Sequence, residues 1–183
     1  MSKRSLTLEA DRIILREIQA QDARALETAA SLRIIDNPFL AHDPRPLAKI
    51  YVEQALMERK RIPRQRYELA ITLKEDRRVI GACSLKLSRG VLIEADLGYI
   101  ICPEFWNHGF ATEAATRVIS FAFGEIGAFR VNAYSETSNP SSLRVLEKLG
   151  FARTGMALGK LHFSRIRNIP QNQSIAKPAH RNF

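Results

Sequence analysis

The chain has 183 residues, 45% of them hydrophobic and 26% charged, proportions that fit one soluble globular domain able to bury a core. No uncharged stretch approaches the ~20 apolar residues that a membrane-spanning helix needs. Met1-Ser2-Lys3-Arg4 runs straight into a strand-like pattern without an apolar signal region, so a cytoplasmic protein is expected.

In chain order, Leu6 to Glu17 alternates as a first strand, bulged near Asp11. Asp22 then caps a helix with Ala25, Leu26, Ala29 and Leu32 at helical spacing. Asp36-Asn37-Pro38-Phe39 through His42-Asp43-Pro44-Arg45-Pro46 is rich in breakers and reads as loop. A second helix runs from about Leu47 to Lys60, with Ile50, Ala55 and Leu56 on one face. Tyr67–Leu73, Val79–Leu87 and Val91–Cys102 read as three consecutive strands, an antiparallel meander. A strong helix follows, roughly Gly109 to Ile126, with Ala111, Ala114, Ala115, Val118, Ile119 and Ala122 in its apolar stripe. The strand Arg130–Ser135 precedes a helix that starts near Asn139-Pro140 and stops at Gly150, proline and glycine marking its two ends. Phe151–Ala157 is a further strand. After Gly159 the pattern weakens: Leu161–Arg167 reads as one last strand and Asn168–Phe183 as a mobile basic tail, so the domain is placed at 1–167 and the tail at 168–183.

Lysine and arginine number 28 against 19 acidic residues, a net charge of +9, which favours nucleic acid or a ligand carrying several phosphates. The surplus is dispersed over Arg59-Lys60-Arg61, Arg64, Arg66, Arg77-Arg78 and the C-terminus, without the aromatic-basic pattern of an RNA-binding sheet. Charge does not choose between these partners. Cys83 and Cys102 lie in apolar runs with no His/Cys cluster around them, so two reduced, buried thiols are expected, with no metal site.

The segment Pro103 to Ala114 has a physical meaning of its own. A strand ends, a short loop with Gly109 follows, and a long helix begins. The free N–H groups of a first helical turn, near its positive dipole end, make such a terminus suited to phosphate. Three ordered stretches together, "LGYIICPEFWNHGFATEA", "NPSSLRVLEKLGF" and the opening "LTLEADRIILREIQAQD", resemble the GNAT acetyltransferase superfamily and its RimJ/RimL-like branch of ribosomal-protein N-terminal acetyltransferases over about residues 5 to 157. In the last stretch Arg12 and Arg16 bracket an apolar core.

That resemblance implies an α/β (α+β) GNAT fold, a central mixed, mostly antiparallel twisted sheet of roughly six to seven strands flanked by about four helices. It implies acetyl-CoA as cofactor and an amine acceptor, either a peptide N-terminus or a small amine, with ribosome association as a further expectation and a monomer or homodimer as the assembly. By position, Tyr99, Ile100 and Ile101 would pair their backbone with the pantetheine arm. Asn107, His108, Gly109, Phe110, Ala111 and Thr112 would offer N–H groups to the pyrophosphate. Asn139 would bond the cofactor, and Ser142 would offer its hydroxyl to the departing thiolate. A V-shaped gap between Gly98–Cys102 and Arg130–Ser135 would receive the arm.

An amine must lose a proton before it attacks. Glu94 and Asp96, two residues apart and so on one face of their strand, are the candidate bases; the competing reading is that both are solvated edge charges. Trp106 is read as packing that holds the loop, Glu113 and Glu147 as serving helix termini, and His42 as a surface residue. Leu146 stands where other branches carry a tyrosine acid, so that role is not carried over. The end, "KLHFSRIRNIPQNQSIAKPAHRNF", departs from the branch's long loop and final acidic strand. A shortened last strand or an incomplete acceptor wall is therefore expected, with a catalytically impaired CoA-binding protein and a basic ribosome- or RNA-associated module as alternative functions.

Overall fold

The computed structural model describes residues 5–30 and 47–168. The expected loop with Phe39 and His42, and nearly all of the expected tail 168–183, lie outside the described residues.

Eight strands form one sheet in the order β1-β2-β3-β4-β5-β6-β8-β7, where β1 is Thr7–Glu9, β2 Ile13–Glu17, β3 Arg66–Leu73, β4 Val79–Arg89, β5 Ile93–Ile101, β6 Arg130–Ser135, β7 Ala152–Ala157 and β8 Lys160–Ile166. The four helices are α1 (Ala23–Ala30), α2 (Leu47–Lys60), α3 (Phe110–Gly124) and α4 (Pro140–Lys148). Every pairing is antiparallel except β5 with β6. Parallel neighbours need a crossover, and α3 supplies it. No helix among the described residues is long and apolar enough to cross a membrane.

The expected count of strands rises to eight for a local reason. Leu6 to Glu17 is not one bulged strand but a hairpin, with Leu8 opposite Leu15 and the chain reversing through Ala10, Asp11 and Arg12. Alternation reads the same on either side of a tight turn, so the pattern does not reveal the reversal. Asp22 also differs from expectation. Its carboxylate turns back onto Arg16 at 2.7 and 2.8 Å and accepts the Gln19 N–H at 2.8 Å, closing a short 3₁₀ turn ahead of α1.

After Gly159 the chain forms a full strand rather than a shortened one. β8 inserts between β6 and β7, and Leu158 and Gly159, both at positive φ (54° and 74°), make the two-residue turn from β7. Two positive φ values are the signature of a type I′ hairpin turn, whose twist matches that of the strands. No long loop follows β7.

The two faces of the sheet are covered differently. Leu69, Ile71, Cys83, Leu85, Ala95 and Leu97 point toward α3, whose Ala114, Ala115, Val118, Ile119 and Ala122 meet them in the main core. Each larger side chain buried there contributes roughly 1.5–3 kcal/mol. Ala70 and Ala82 point the other way, onto Leu26, Ala48, Val52 and Ala55 of α1 and α2, with Ile100 packed alongside. Both cysteines are free and buried, and burial raises the Cys102 thiol to about 11.

Candidate active site

The parallel contact of β5 with β6 is short. It runs from Glu94 opposite Arg130 to Leu97 opposite Ala133 and then stops, although β5 continues to Ile101 and β6 to Ser135. Past Leu97 the strands part, leaving one side of Gly98–Ile101 without a strand partner, in the place expected for the gap.

Immediately beyond β5 the chain makes a 3₁₀ turn at Pro103–Phe105 and enters α3 through Trp106 to Gly109. Asn107 (φ 62°) and Gly109 (φ 82°) both adopt left-handed conformations. At Gly109, the N-cap of α3, no side chain caps the helix. The first helical bond is from Glu113 N–H to the Gly109 carbonyl, so the N–H groups of Phe110, Ala111 and Thr112 meet no acceptor among the described residues. Three free amides at the positive end of a 15-residue helix suit a bound anion.

The loop is held from three directions. The Trp106 indole N–H donates to the Ile101 carbonyl at 2.7 Å, tying the loop to the end of β5. His108 Nδ1 lies 2.7 Å from the Trp106 carbonyl and its ring stacks on Phe110. Arg12, from the β1–β2 turn, reaches across: Nη1 donates to the His108 carbonyl at 3.1 Å, and Nε and Nη2 grip Glu113 at 2.9 and 2.8 Å. Its guanidinium also lies 4.5 Å from the Phe110 ring centre. Glu113 stands in the first turn of α3, and Arg12 neutralises the one negative charge that would compete with an anion there. A cleft of about 660 Å³ borders the loop on the Arg12 side. Its lining carries Glu75 and Glu104 as well as Arg12 and Lys74, so positive charge is not concentrated in it.

On the α3 side of the parting strands, Tyr99 extends its hydroxyl to within 3.2 Å of Ser142 Oγ, in the first turn of α4. Burial pushes the Tyr99 phenol up to about 12, the Ser142 bond opposing. Asn139 caps α4, its Oδ1 accepting the Ser142 N–H at 3.0 Å, which leaves its amide NH₂ to meet a ligand.

Glu94 and Asp96 face the other way. They alternate with Ala95 and Leu97 and share a face with Gly98 and Ile100, the latter packed toward α1 and α2. Ser142 and this carboxylate pair thus stand on opposite faces of the sheet, with the gap between them. The two carboxylates are not equivalent. Glu94 is engaged by Arg130 at 3.4 Å and by Asn132 Nδ2 at 3.1 Å, whereas Asp96 has no hydrogen bond or ion pair among the described residues. Gly98 follows at the edge of the gap, where a Cβ would lie 2.7 Å from Ser84 Oγ.

The sequence reading placed Tyr99 only through its backbone and treated Arg12 as a boundary of the core; the clamp it forms was missed, because a partner 101 residues away leaves no local pattern. Asn132 was missed too, although a polar residue between Val131 and Ala133 in an apolar strand is a visible signal.

The family model for the acetyltransferase (GNAT) domain matches residues 12–152. The chain is 31% identical over 153 residues to the uncharacterized N-acetyltransferase YoaA of Bacillus subtilis (strain 168), spanning 81% of this chain and 84% of YoaA. Among solved structures, Mycobacterium smegmatis RimJ in complex with CoA-disulfide aligns with a TM-score of 0.72 at 20% identity, over 88% of this chain and 86% of that one. A variant of the spermidine N-acetyltransferase SpeG from Vibrio cholerae aligns with a TM-score of 0.68 at 17% identity, over 85% and 94% of the two chains. At such identities the two structures speak for the fold, while the domain match and the relative at 31% speak for descent. The chain belongs to the GNAT acetyltransferase family and is by class an acyltransferase.

Proposed function

We propose that this chain transfers the acetyl group of acetyl-CoA to a primary amine, and that its acceptor is the N-terminus of a protein or peptide. The observation that carries the reading is the row of free amides at the start of α3, lying directly after the strand that parts from β6. The donor set fits a diphosphate: main-chain N–H groups, a helix dipole and a neutralised Glu113. Gly109, Phe110, Ala111 and Thr112 would hold that diphosphate, flanked by Asn107 and His108. Tyr99, Ile100 and Ile101 would hold the pantetheine arm, and Asn139 its amide.

Bound acetyl-CoA supplies a thioester carbonyl as electrophile. The chain's own residues supply placement and proton traffic. Asp96, with its carboxylate uncommitted, takes the proton of the acceptor ammonium on the α1–α2 face. Glu94, held by Arg130 and Asn132, positions rather than reacts. On the opposite face Ser142 and the Tyr99 phenol, which stays protonated at physiological pH, donate toward the leaving sulfur. Placement of two reactants supplies up to ~7–11 kcal/mol, and a positioned base typically ~10²–10⁴-fold in rate.

The two-residue turn between β7 and β8 supports a peptide acceptor over a small amine, since no long loop after β7 covers the gap from that side. The net charge of +9 supports an acceptor displayed on a nucleic-acid-rich particle such as the ribosome. We assign the activity to residues 1–167. The test is release of free thiol from acetyl-CoA with acceptor peptides and with small amines. Asp96→Asn should cut turnover by ~10²–10⁴-fold and leave calorimetric CoA binding unchanged, with a far smaller effect of Glu94→Gln. Asn139→Ala should weaken CoA binding. Tight CoA binding with no turnover on either acceptor class would replace this reading with a catalytically impaired CoA-binding protein.

A further inference from the structure

On the face that carries Glu94 and Asp96, three further side chains gather where β5 and β6 part. Asn132, opposite Asp96 in the ladder, is only 6% exposed. Its Nδ2 donates to Glu94 Oε2 at 3.1 Å. An ionised carboxylate only accepts, so this bond fixes which end of the amide is nitrogen. The amide oxygen Oδ1 is then a buried acceptor without a donor among the described residues. Buried acceptors of this kind are rare and ask for an explanation. Tyr134, two residues along β6, shares the face and lies within the field of both carboxylates: after burial, Asp96 and Glu94 are the causes that raise its phenol. Its ring is stacked on His162 at 4.9 Å, interplanar 18°. His162 is the ladder partner of Tyr134 on β8 and is tied through Nδ1 to Thr154 Oγ1 at 2.9 Å. The aromatic ring is therefore braced from behind.

We infer that Asn132 Oδ1, the Asp96 carboxylate and the Tyr134 ring form the seat of the acceptor's ammonium, selecting primary over secondary amines. This rests on the acetyltransferase reading above. A primary ammonium has three N–H donors besides its substituent, and the seat offers an amide oxygen, a carboxylate and a π face. A secondary ammonium has one donor fewer and a second carbon substituent, so it leaves the buried oxygen or the carboxylate unmet. Glu94 takes no part in direct contact; with Arg130 on one oxygen and Asn132 on the other, it engages the nitrogen end of the Asn132 amide and leaves Oδ1 for another donor. Tyr134 and Asn132 are specificity-determining and His162 is a positioning residue. Lys86, opposite Asp96 on β4 and exposed, has no hydrogen bond or ion pair among the described residues; it flanks Asp96 on the side away from β6.

The test uses the full chain and three probes, alaninamide, N-methylalaninamide and N-acetylalaninamide. The side-chain amide resonances of Asn132, assigned by their loss in Asn132→Leu, should shift on titration with alaninamide, at least tenfold more weakly with the N-methyl compound, and not with the acetylated one. Asn132→Leu should weaken alaninamide binding at least tenfold with CoA affinity unchanged. Tyr134→Leu, at a partly exposed site that tolerates change, should weaken it several-fold. Equal response to all three probes, or no response of Asn132 to alaninamide while CoA binds, would overturn the seat. Loss of CoA binding with the amine response intact would instead overturn the acetyl-CoA reading.

Discussion

Replacing Arg12 by alanine removes the clamp that joins the β1–β2 turn to the loop before α3. The ion pair with Glu113 is short, 2.8 Å, but the Arg12 side chain is 49% exposed, so solvent screening reduces it to about 0.5–1 kcal/mol. The hydrogen bond to the His108 carbonyl at 3.1 Å adds about 0.5–1 kcal/mol, and the guanidinium over Phe110 at 4.5 Å about 0.5–1 kcal/mol. Contacts sharing one side chain do not add in full, so the loss is about 1.5–2.5 kcal/mol. At about 2–4 °C per kcal/mol for a chain of this size, Tm falls by about 3–10 °C. The main-chain bond from Arg12 N–H to Glu113 Oε1, 2.6 Å, survives the substitution and keeps the carboxylate beside the loop, now uncompensated. CoA affinity should therefore drop about tenfold, or about 1.4 kcal/mol. Adding Glu113→Gln should restore most of that affinity without restoring Tm. Scanning calorimetry and isothermal titration read the two effects separately. An unchanged Tm and Kd in Arg12→Ala, or a double variant that binds CoA worse than the single one, would refute the electrostatic account.

Two further outcomes follow from other sites. Gly109→Ala should cost about 1–2 kcal/mol in urea unfolding, since an alanine is strained at φ 82°; the nearest atom to its Cβ would be Arg12 Nη2 at 3.6 Å, so no clash adds to this, and Gly109→Asn should cost less because asparagine tolerates that conformation. An equal loss in both variants would point to a contact rather than to backbone strain. Burial holds the Glu68 carboxyl above its ordinary value of 4.5, with the Tyr51 hydroxyl at 2.5 Å and Arg66 at 2.7 Å pulling against it. A group with a raised folded pKa contributes stability below its unfolded pKa and loses it as pH rises through the folded value. The Tm difference between wild type and Glu68→Gln should thus favour wild type most below the ordinary value of 4.5 and decline as pH rises above it; a difference that grows with pH would mean that the Arg66 pair outweighs burial.

The elements with strong local signals were legible from sequence. The alanine-rich stripe of α3, the proline and glycine at the ends of α4, and the alternating runs of β3, β4 and β5 each satisfy one period and one face, so they fold where they read. What escaped was set by tertiary partners. The β1–β2 reversal is invisible because Leu8 and Leu15 keep the same alternation across the turn. β8 reads weakly because it carries His162, Ser164 and Arg165 among apolar residues, a composition explained only by its neighbours β6 and β7 on either side. At the site, the free amides before α3 and the cap at Asn139 were readable from glycine, asparagine and proline. The different engagement of Glu94 and Asp96 was not, since it depends on Arg130 and Asn132 from a strand more than thirty residues away.

The ends of the sheet also bear on how this molecule meets its neighbours. At one margin stands a strand of three residues, Thr7–Glu9, too short to template a long ladder. At the other stands β7, almost wholly open to water, but its register against β8 breaks between Arg153 and Gly155. An irregular row of amides bearing an arginine is a poor guide for an incoming strand. Among the described residues, continuation of the sheet from one copy into the next finds no regular rail at either margin, so edge-to-edge association is opposed there by geometry as much as by charge.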